Sequence, residues 1–436
     1  MLFVFTPHIT SRITYIFKHL FERMLGVEYT LTTKKDEWIE YGGPKMSYGK
    51  TPISDELFFQ QSSFLLATGI KKVHLETVSF DGCTAFFPVQ HTQSVFPFDP
   101  FAASFYKLSR YEEHLPFISD VHGRFPATES LAYRFEILQK PVVNCWAKQI
   151  GVLLQQHFPT LKIRKRRFSM IPSIDIDSAY AIRNKGLVRI LAGLVNSLYN
   201  MNKDDLKKRL NVLFRLEEDP FDSFEYQLTI QKKYNFRPLY FILMADYGPY
   251  DKNIPYQNRP FRDLIKLLSD YADVGIHASY ASNDTPELLK KEINRLSDVL
   301  NREITRSRQH FLRLEIPNTY HTLLNLDIHN DYSMGFASQP GFRAGTCDPF
   351  PFYDLEMETE TPLMIHPFVV MEGTLADYLR LSPEDGLNYI YRLIDEVKAV
   401  DGAFISLWHN ESLGGQGRWE GWPDVYEKMI AYGFSE

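Results

Sequence analysis

Ser169-Met170-Ile171-Pro172-Ser173-Ile174-Asp175-Ile176-Asp177-Ser178 runs from an apolar segment into two aspartates separated by one residue. Ser169–Ile176 has the length and β-branched content of a strand, with the aspartates at its C-terminal end. Positions i and i+2 of a strand share a face, so Asp175 and Asp177 point the same way. One carboxylate there can hold a divalent cation while the other stays free to take a proton. The same pair also suits two surface aspartates in a turn.

From Phe168 onward, short apolar segments alternate with longer amphipathic ones. Strands are expected at Leu239–Met244, Val274–Ile276, His310–Leu314, Gly341–Arg343, Met364–Val370 and Phe404–Trp408, with helices at Pro260–Tyr271 and Pro286–Asn301. Strand–helix–strand repetition predicts a parallel sheet, open or closed as a barrel, whose chemistry gathers at the C-terminal strand ends. The polar motifs fall at such ends. Asp273-Val274-Gly275-Ile276-His277 finishes one strand with an imidazole, the commonest zinc ligand outside cysteine sites; a packed, hydrogen-bonded histidine is the plainer alternative. Arg308 and His310 share a face, where the first can clamp a carboxylate and the second complete a metal site. Arg343 stands between Gly341 and Gly345, which allow close backbone approach to a ligand. Phe404-Ile405-Ser406-Leu407-Trp408-His409 closes the last strand with a candidate general acid beside a candidate sugar-stacking tryptophan.

Residues 1–165 read as a separate, smaller α/β unit, and residues 166–436 as the unit carrying these motifs. Met1–Thr6 is expected as a first strand rather than a secretory leader, since Pro7, His8 and Arg12 come directly after it. A helix is expected at Ser11–Leu25 and a hairpin turn at Asp81-Gly82. Arg110, Glu112, Glu113, Asp120 and Arg124 suit a buried ion-pair network better than a catalytic cluster. The basic run Lys162–Arg167 reads as a solvated strand entry.

A net charge of −6 offers no footprint for nucleic acid. Three scattered cysteines, Cys83, Cys145 and Cys347, define no disulfide framework or cysteine-based zinc site, which fits a reducing compartment. No apolar run approaches the ~18 residues of a membrane span, and a soluble cytoplasmic protein is the expectation.

The order of these motifs resembles that of the polysaccharide deacetylases of carbohydrate esterase family 4, over residues 168 to 430, in a divergent branch with an extra N-terminal domain. The resemblance implies a distorted (β/α) barrel preceded by a smaller α/β domain. Ser173–Ser178 is similar to the family's Thr-Phe-Asp-Asp-Gly motif with one residue inserted, which makes Asp175 the base and Asp177 a metal ligand. His277 matches the first histidine of the His-Ser/Thr-x-x-His motif; Ala281 stands where the second belongs, and His310 is the candidate replacement. Arg308 and Arg343 are rival claimants for the family's arginine, and Leu407-Trp408-His409 resembles its Leu-x-His, whose histidine protonates the leaving group. The activity this resemblance implies is metal-dependent removal of acetyl groups from an N- or O-acetylated carbohydrate. The expected cofactor is a divalent ion, zinc foremost, although cobalt, manganese and nickel accept the same ligands. Two alternatives are an inactive relative that binds glycan or metal, and a glycosyltransferase using Asp175-x-Asp177 to hold a metal and a nucleotide sugar.

Overall fold

The computed structural model describes residues 1–435. Four short strands, β1 (Leu2–Phe5), β2 (Tyr29–Thr32), β3 (Lys45–Gly49) and β4 (Leu57–Gln60), form a parallel sheet in the order β2-β1-β3-β4. The hairpin expected at Asp81-Gly82 joins β5 (Thr77–Phe80) to β6 (Cys83–Phe86). Both turn residues have positive φ, 50° and 71°, as a two-residue turn of the primed type requires.

The second sheet begins at Ser169. It comprises β7 (Ser169–Ile176), β8 (Leu239–Leu243), β9 (Asp273–Ala278), β10 (Arg306–Gln309), β11 (Asn330–Asp331), β12 (Phe350–Asp354), β13 (Thr359–Ile365), β14 (Val370–Met371) and β15 (Ala403–His409). Their order is β12-β13-β11-β10-β9-β8-β7-β15-β14, and every neighbouring pair is parallel except β12–β13. Helices such as Arg259–Tyr271, Pro286–Leu300 and Pro383–Lys398 supply the crossovers. The strands read as near-continuous apolar runs because both faces are covered; all five residues of β8 are buried.

Each face has its own core. Ile174, Tyr240, Ile276 and Trp408 point outward into the large helix-covered core. Leu239, Phe241, Leu312, Tyr332, Phe368 and Leu407 belong to a smaller cluster on the inner face. At Gly275, on that inner face, an added Cβ would lie 2.8 Å from the Arg306 carbonyl oxygen and from the Phe241 ring.

The fold is mixed α/β, and one expectation needs correction: strand pairing does not close the sheet into a barrel among the described residues. Loop backbone occupies the gap instead, with Phe368 N–H donating to Met334 O at 3.1 Å and Val369 N–H to Ile405 O at 2.8 Å. The predicted strand Gly341–Arg343 is part of this loop region. Gly341 has φ 133°, and its α-carbon is pressed so closely on the Leu138 carbonyl that a Cβ would sit 2.4 Å from the oxygen. Met364–Val370 likewise splits into the end of β13 and the start of β14, and the strand expected at His310–Leu314 lies earlier, at β10.

The small sheet and the large one share one continuous core from Leu2 to Ile430. Polar contacts reinforce it: Tyr15 Oη donates to Pro351 O at 2.8 Å, and Arg343 pairs with Glu113 at 2.5 Å.

Candidate metal centre

Strand alternation brings Asp175 and Asp177 from β7, His277 from β9, His310 from just past β10 and His409 from β15 to one end of the large sheet. The two central histidines are oriented by what their other nitrogens touch. His277 Nδ1 lies 2.9 Å from Arg308 O, an acceptor only, so that nitrogen carries the proton. Its Nε2 then faces Asp177 Oδ1 at 3.2 Å with a lone pair. His310 Nδ1 lies 2.8 Å from Asp251 Oδ1, and its Nε2 stands 3.4 Å from Asp177 Oδ2. A histidine whose second nitrogen is held by a carbonyl or carboxylate is the usual arrangement of a metal ligand.

Three observations fit this set to a divalent cation. Donor atoms of Asp177, His277 and His310 all lie within 4.8 Å of one another. Asp177 Oδ1 is buried without a hydrogen-bond partner. The protonation of the cluster also reports a deficit of positive charge. Burial pulls His310 down, but Asp177 and Asp251 outweigh it and lift the imidazole to about 9. Burial pushes the Asp177 carboxyl up, and His310 and His409 overcome it to hold it well below the usual range. In the metal-free protein a proton thus takes the place a cation would fill.

Ala281 follows β9 in a short turn, Ala281–Asn283. That turn contributes backbone rather than a side chain: Tyr280 N–H and Ala281 N–H donate to Asp251 at 2.9 and 3.4 Å. Asp251 in turn orients His310, so the two features are mechanically joined.

Asp175 sits beside the trio. Its Oδ1 accepts from Arg308 Nη1 at 2.7 Å. The guanidinium is fully buried, donates also to Ser173 Oγ at 2.9 Å and Tyr332 O at 3.0 Å, and lies 4.3 Å over the Phe241 ring. His409 is the register partner of Asp175 across β15 and β7. Its Nδ1 lies 2.8 Å from Glu372 Oε1, which also accepts the His409 backbone N–H at 2.9 Å. Burial lowers His409, but Glu372 first, then Asp177 and Asp175, raise it to about 10. It therefore holds its proton at neutral pH, with Nε2 4.0 Å from Asp177 Oδ2.

These groups line a cleft of about 200 Å³ whose walls include Phe311, Tyr378, Trp419 and Arg124. Phe311 and Leu312 are both left-handed, φ 59° and 55°, at a cost of order 1–3 kcal/mol each. Arg124 reaches the cleft from the N-terminal part of the chain, donating to Phe311 O at 2.6 Å while Asp120 Oδ2 accepts from its Nε at 2.7 Å.

Two expected roles fail on geometry. Arg343 does not approach Asp175; its Nη2 pairs with Glu113 at 2.5 Å and its Nη1 donates to Gly335 O at 2.9 Å. With Arg110, Glu112 and Lys107 it forms a buried ion network, while Asp120 and Arg124, expected in the same network, pair with each other at the cleft. Trp408 faces away from the cleft, packed on Trp422 and Tyr426, because the neighbour of an inward-pointing strand residue must point outward. The aromatic side chains at the cleft are Phe311, Tyr378 and Trp419 instead.

Asp251 and Glu372 carry no motif in the sequence and emerge only from the fold. Glu372 comes directly after β14, the same strand-end signal that picks out His277 and His409. Asp251 lies in a loop with no periodic signal.

Among known proteins, a family model described as a family of unknown function (DUF7033) matches residues 2–159. No curated protein matches the chain. Solved structures similar to it include a protein described as a polysaccharide deacetylase from Mycobacterium smegmatis, 12% identical, with 62% of this chain and 84% of that one covered and a TM-score of 0.40. Puue allantoinase is 12% identical over 63% of this chain and 86% of that chain, with a TM-score of 0.41. A pseudoenzyme of carbohydrate esterase family 4 from Bacillus anthracis is 12% identical over 61% and 62%, with a TM-score of 0.30.

Proposed function

We propose that this chain is a metal-dependent hydrolase that removes acetyl groups from an N- or O-acetylated carbohydrate. The observation that carries the reading is the pair of histidines with Nδ1 committed to Arg308 O and Asp251, and Nε2 of each turned on Asp177, whose Oδ1 is unpartnered. Asp177, His277 and His310 would hold the ion, His310 serving where the resembled motif has its second histidine. A divalent ion there supplies Lewis acidity, polarising a carbonyl oxygen and lowering the pKa of water.

The remaining roles belong to the chain's own groups. Arg308 fixes and orients the Asp175 carboxylate, which can accept the proton of the attacking water. His409, held protonated by Glu372, donates from Nε2 to the departing amine or alcohol. Arg124 and the aromatic walls bound the space left for the sugar. The engagement of Asp175 with Arg308 speaks against both aspartates chelating one ion, as a nucleotide-sugar transferase would need.

We also read residues 1–165 as an accessory unit and 166–436 as the catalytic one. A small sheet confined to residues 2–60 supports that boundary, and Arg124 is what the first unit lends to the cleft.

The test is acetate release from N- and O-acetylated oligosaccharides by zinc-loaded protein. Turnover falling by about 10²- to 10⁴-fold in Asp175→Asn, with metal content kept, is the expected result. A metal-loaded wild type that releases no acetate from either class overturns the reading.

A further inference from the structure

The helix Leu187–Tyr199, which comes after the Asp175–Asp177 strand, turns an apolar stripe to solvent. Its sequence Leu-Val-Arg-Ile-Leu-Ala-Gly-Leu-Val-Asn-Ser-Leu-Tyr is mostly apolar, yet Ser197 is its one buried residue. Leu187, Leu191, Val195 and Leu198 follow helical spacing along one face, flanked by Val188 and Tyr199, and these six are between 59% and 86% exposed. Half-buried Ile190 and Leu194 share the inner side with Gly193 and Ser197. Ser197 Oγ lies within hydrogen-bond reach of Asp205 of the next helix, Lys203–Leu213, and of Gly193 O at 2.9 Å, its one proton serving either acceptor. A Cβ at Gly193 would lie 2.5 Å from Arg209, so the two helices approach closely at that point. A soluble helix normally turns its apolar stripe to the core; here the stripe is offered to whatever lies outside.

Charge singles out the occupant. Residues 183–216 hold eight lysines and arginines (Arg183, Lys185, Arg189, Lys203, Lys207, Lys208, Arg209, Arg215) against Asp204 and Asp205, a net of +6, before Glu217, Glu218, Asp219 and Asp222 follow. Arg183 pairs with Asp222 and Arg209 with Asp205, while Lys203, Lys207 and Arg215 are exposed. Phe214 and Leu216, at the end of the second helix, are also exposed, as is Tyr247, on which the Arg189 guanidinium lies at 4.2 Å. An exposed apolar stripe set among basic groups, with aromatic residues at its margins, is the composition of a helix that lies in the plane of an anionic bilayer surface. At 13 residues the helix is about 20 Å long, short of the ~30 Å needed to cross.

We propose that the 187–216 hairpin docks this protein on an anionic lipid surface, with the leucine stripe in the headgroup–acyl boundary and the basic groups on the lipid phosphates. Docking does not depend on the hydrolase reading, but it bears on it. Arg189 donates to Asn253 O at 2.8 Å and Lys252 O at 2.9 Å, and the adjoining Asp251 is the residue that orients His310. The docked surface and the cleft thus share one short segment, which favours a substrate carried at the membrane.

The test is co-sedimentation of the full-length protein with vesicles of phosphatidylcholine alone, and with roughly one-third phosphatidylglycerol added. Wild type is expected to sediment with the anionic vesicles, to release as salt rises, and to stay in solution with the neutral ones. Leu191→Asp/Val195→Asp should weaken binding at least about tenfold. Lys203→Glu/Lys207→Glu should weaken it and flatten the salt dependence. All four positions are solvent-facing, and unchanged thermal unfolding verifies that each variant is folded. Wild type that ignores anionic vesicles, or an aspartate variant that binds like wild type, overturns the proposal. So does a wild-type dimer in light scattering that the aspartate variant converts to monomer, which would make a second copy the occupant of the stripe.

Discussion

Replacing Glu372 by Gln should move the titration of His409 by several pH units without touching the imidazole itself. The two groups are 2.8 Å apart and Glu372 is buried. At an effective dielectric constant of about 20, unit charges at that distance attract by roughly 6 kcal/mol, an upper limit of about 4 pK units. The Gln oxygen still accepts the Nδ1–H, and Asp177 and Asp175 remain, so a fall of about 2–3 units is expected, from about 10 to roughly 7–8. The sign for stability is set by the direction of that shift. His409 is raised in the folded state above its unfolded value near 6.5, so its contribution is complete below about pH 6.5 and is lost as pH rises through about 10. In Glu372→Gln that loss should be over by about pH 8. The assay is an NMR titration of labelled histidine in chelator-treated protein, since a bound cation beside Asp177 would itself repel the imidazolium, joined to urea unfolding from pH 6 to 10. A wild-type His409 that titrates near 6.5, or a midpoint indifferent to Glu372→Gln, would refute the reasoning.

Asp251→Asn should weaken metal affinity by about 10- to 100-fold in a competition titration, since the carboxylate fixes the tautomer of His310; unchanged affinity would remove Asp251 from the account. Arg343→Ala should leave metal content alone and cost about 3 kcal/mol in denaturant unfolding, because Glu113 keeps only Arg110 as a partner in a buried setting. Loss of metal with no loss of stability would restore Arg343 to the site. Trp408→Ala should destabilise the fold by about 3–5 kcal/mol while sparing glycan affinity in native protein, and Trp419→Ala should reduce that affinity by calorimetry; the reverse pattern would contradict the orientation of β15.

The alternation of strands and helices, the strand-end aspartates and histidines and the hairpin at Asp81-Gly82 were legible because each rests on local periodicity or turn chemistry. Period-2 alternation also contained the correction to Trp408: if His409 faces the cleft, its neighbour cannot. The openness of the sheet was not legible, because whether β14 meets the β12–β13 edge depends on how loops near Met334 and Phe368 pack, a long-range matter. Arg308 and Arg343 could not be told apart either; both stand near strand ends, and only the position of Glu113, some 230 residues upstream of Arg343, decides which one is occupied elsewhere. Asp251 lies in an aperiodic loop and acts through His310, so nothing local marks it. The Leu187–Tyr199 helix breaks the rule by which apolar stripes are read as core, and periodicity alone places such a helix inside.

The central claim is that Asp177, His277 and His310 hold a divalent ion, and elemental analysis of purified wild type beside His310→Ala tests it most directly. Near-stoichiometric transition metal in wild type, lost in the variant, is the predicted result. No metal in wild type after incubation with zinc, or full retention in His310→Ala, would contradict it.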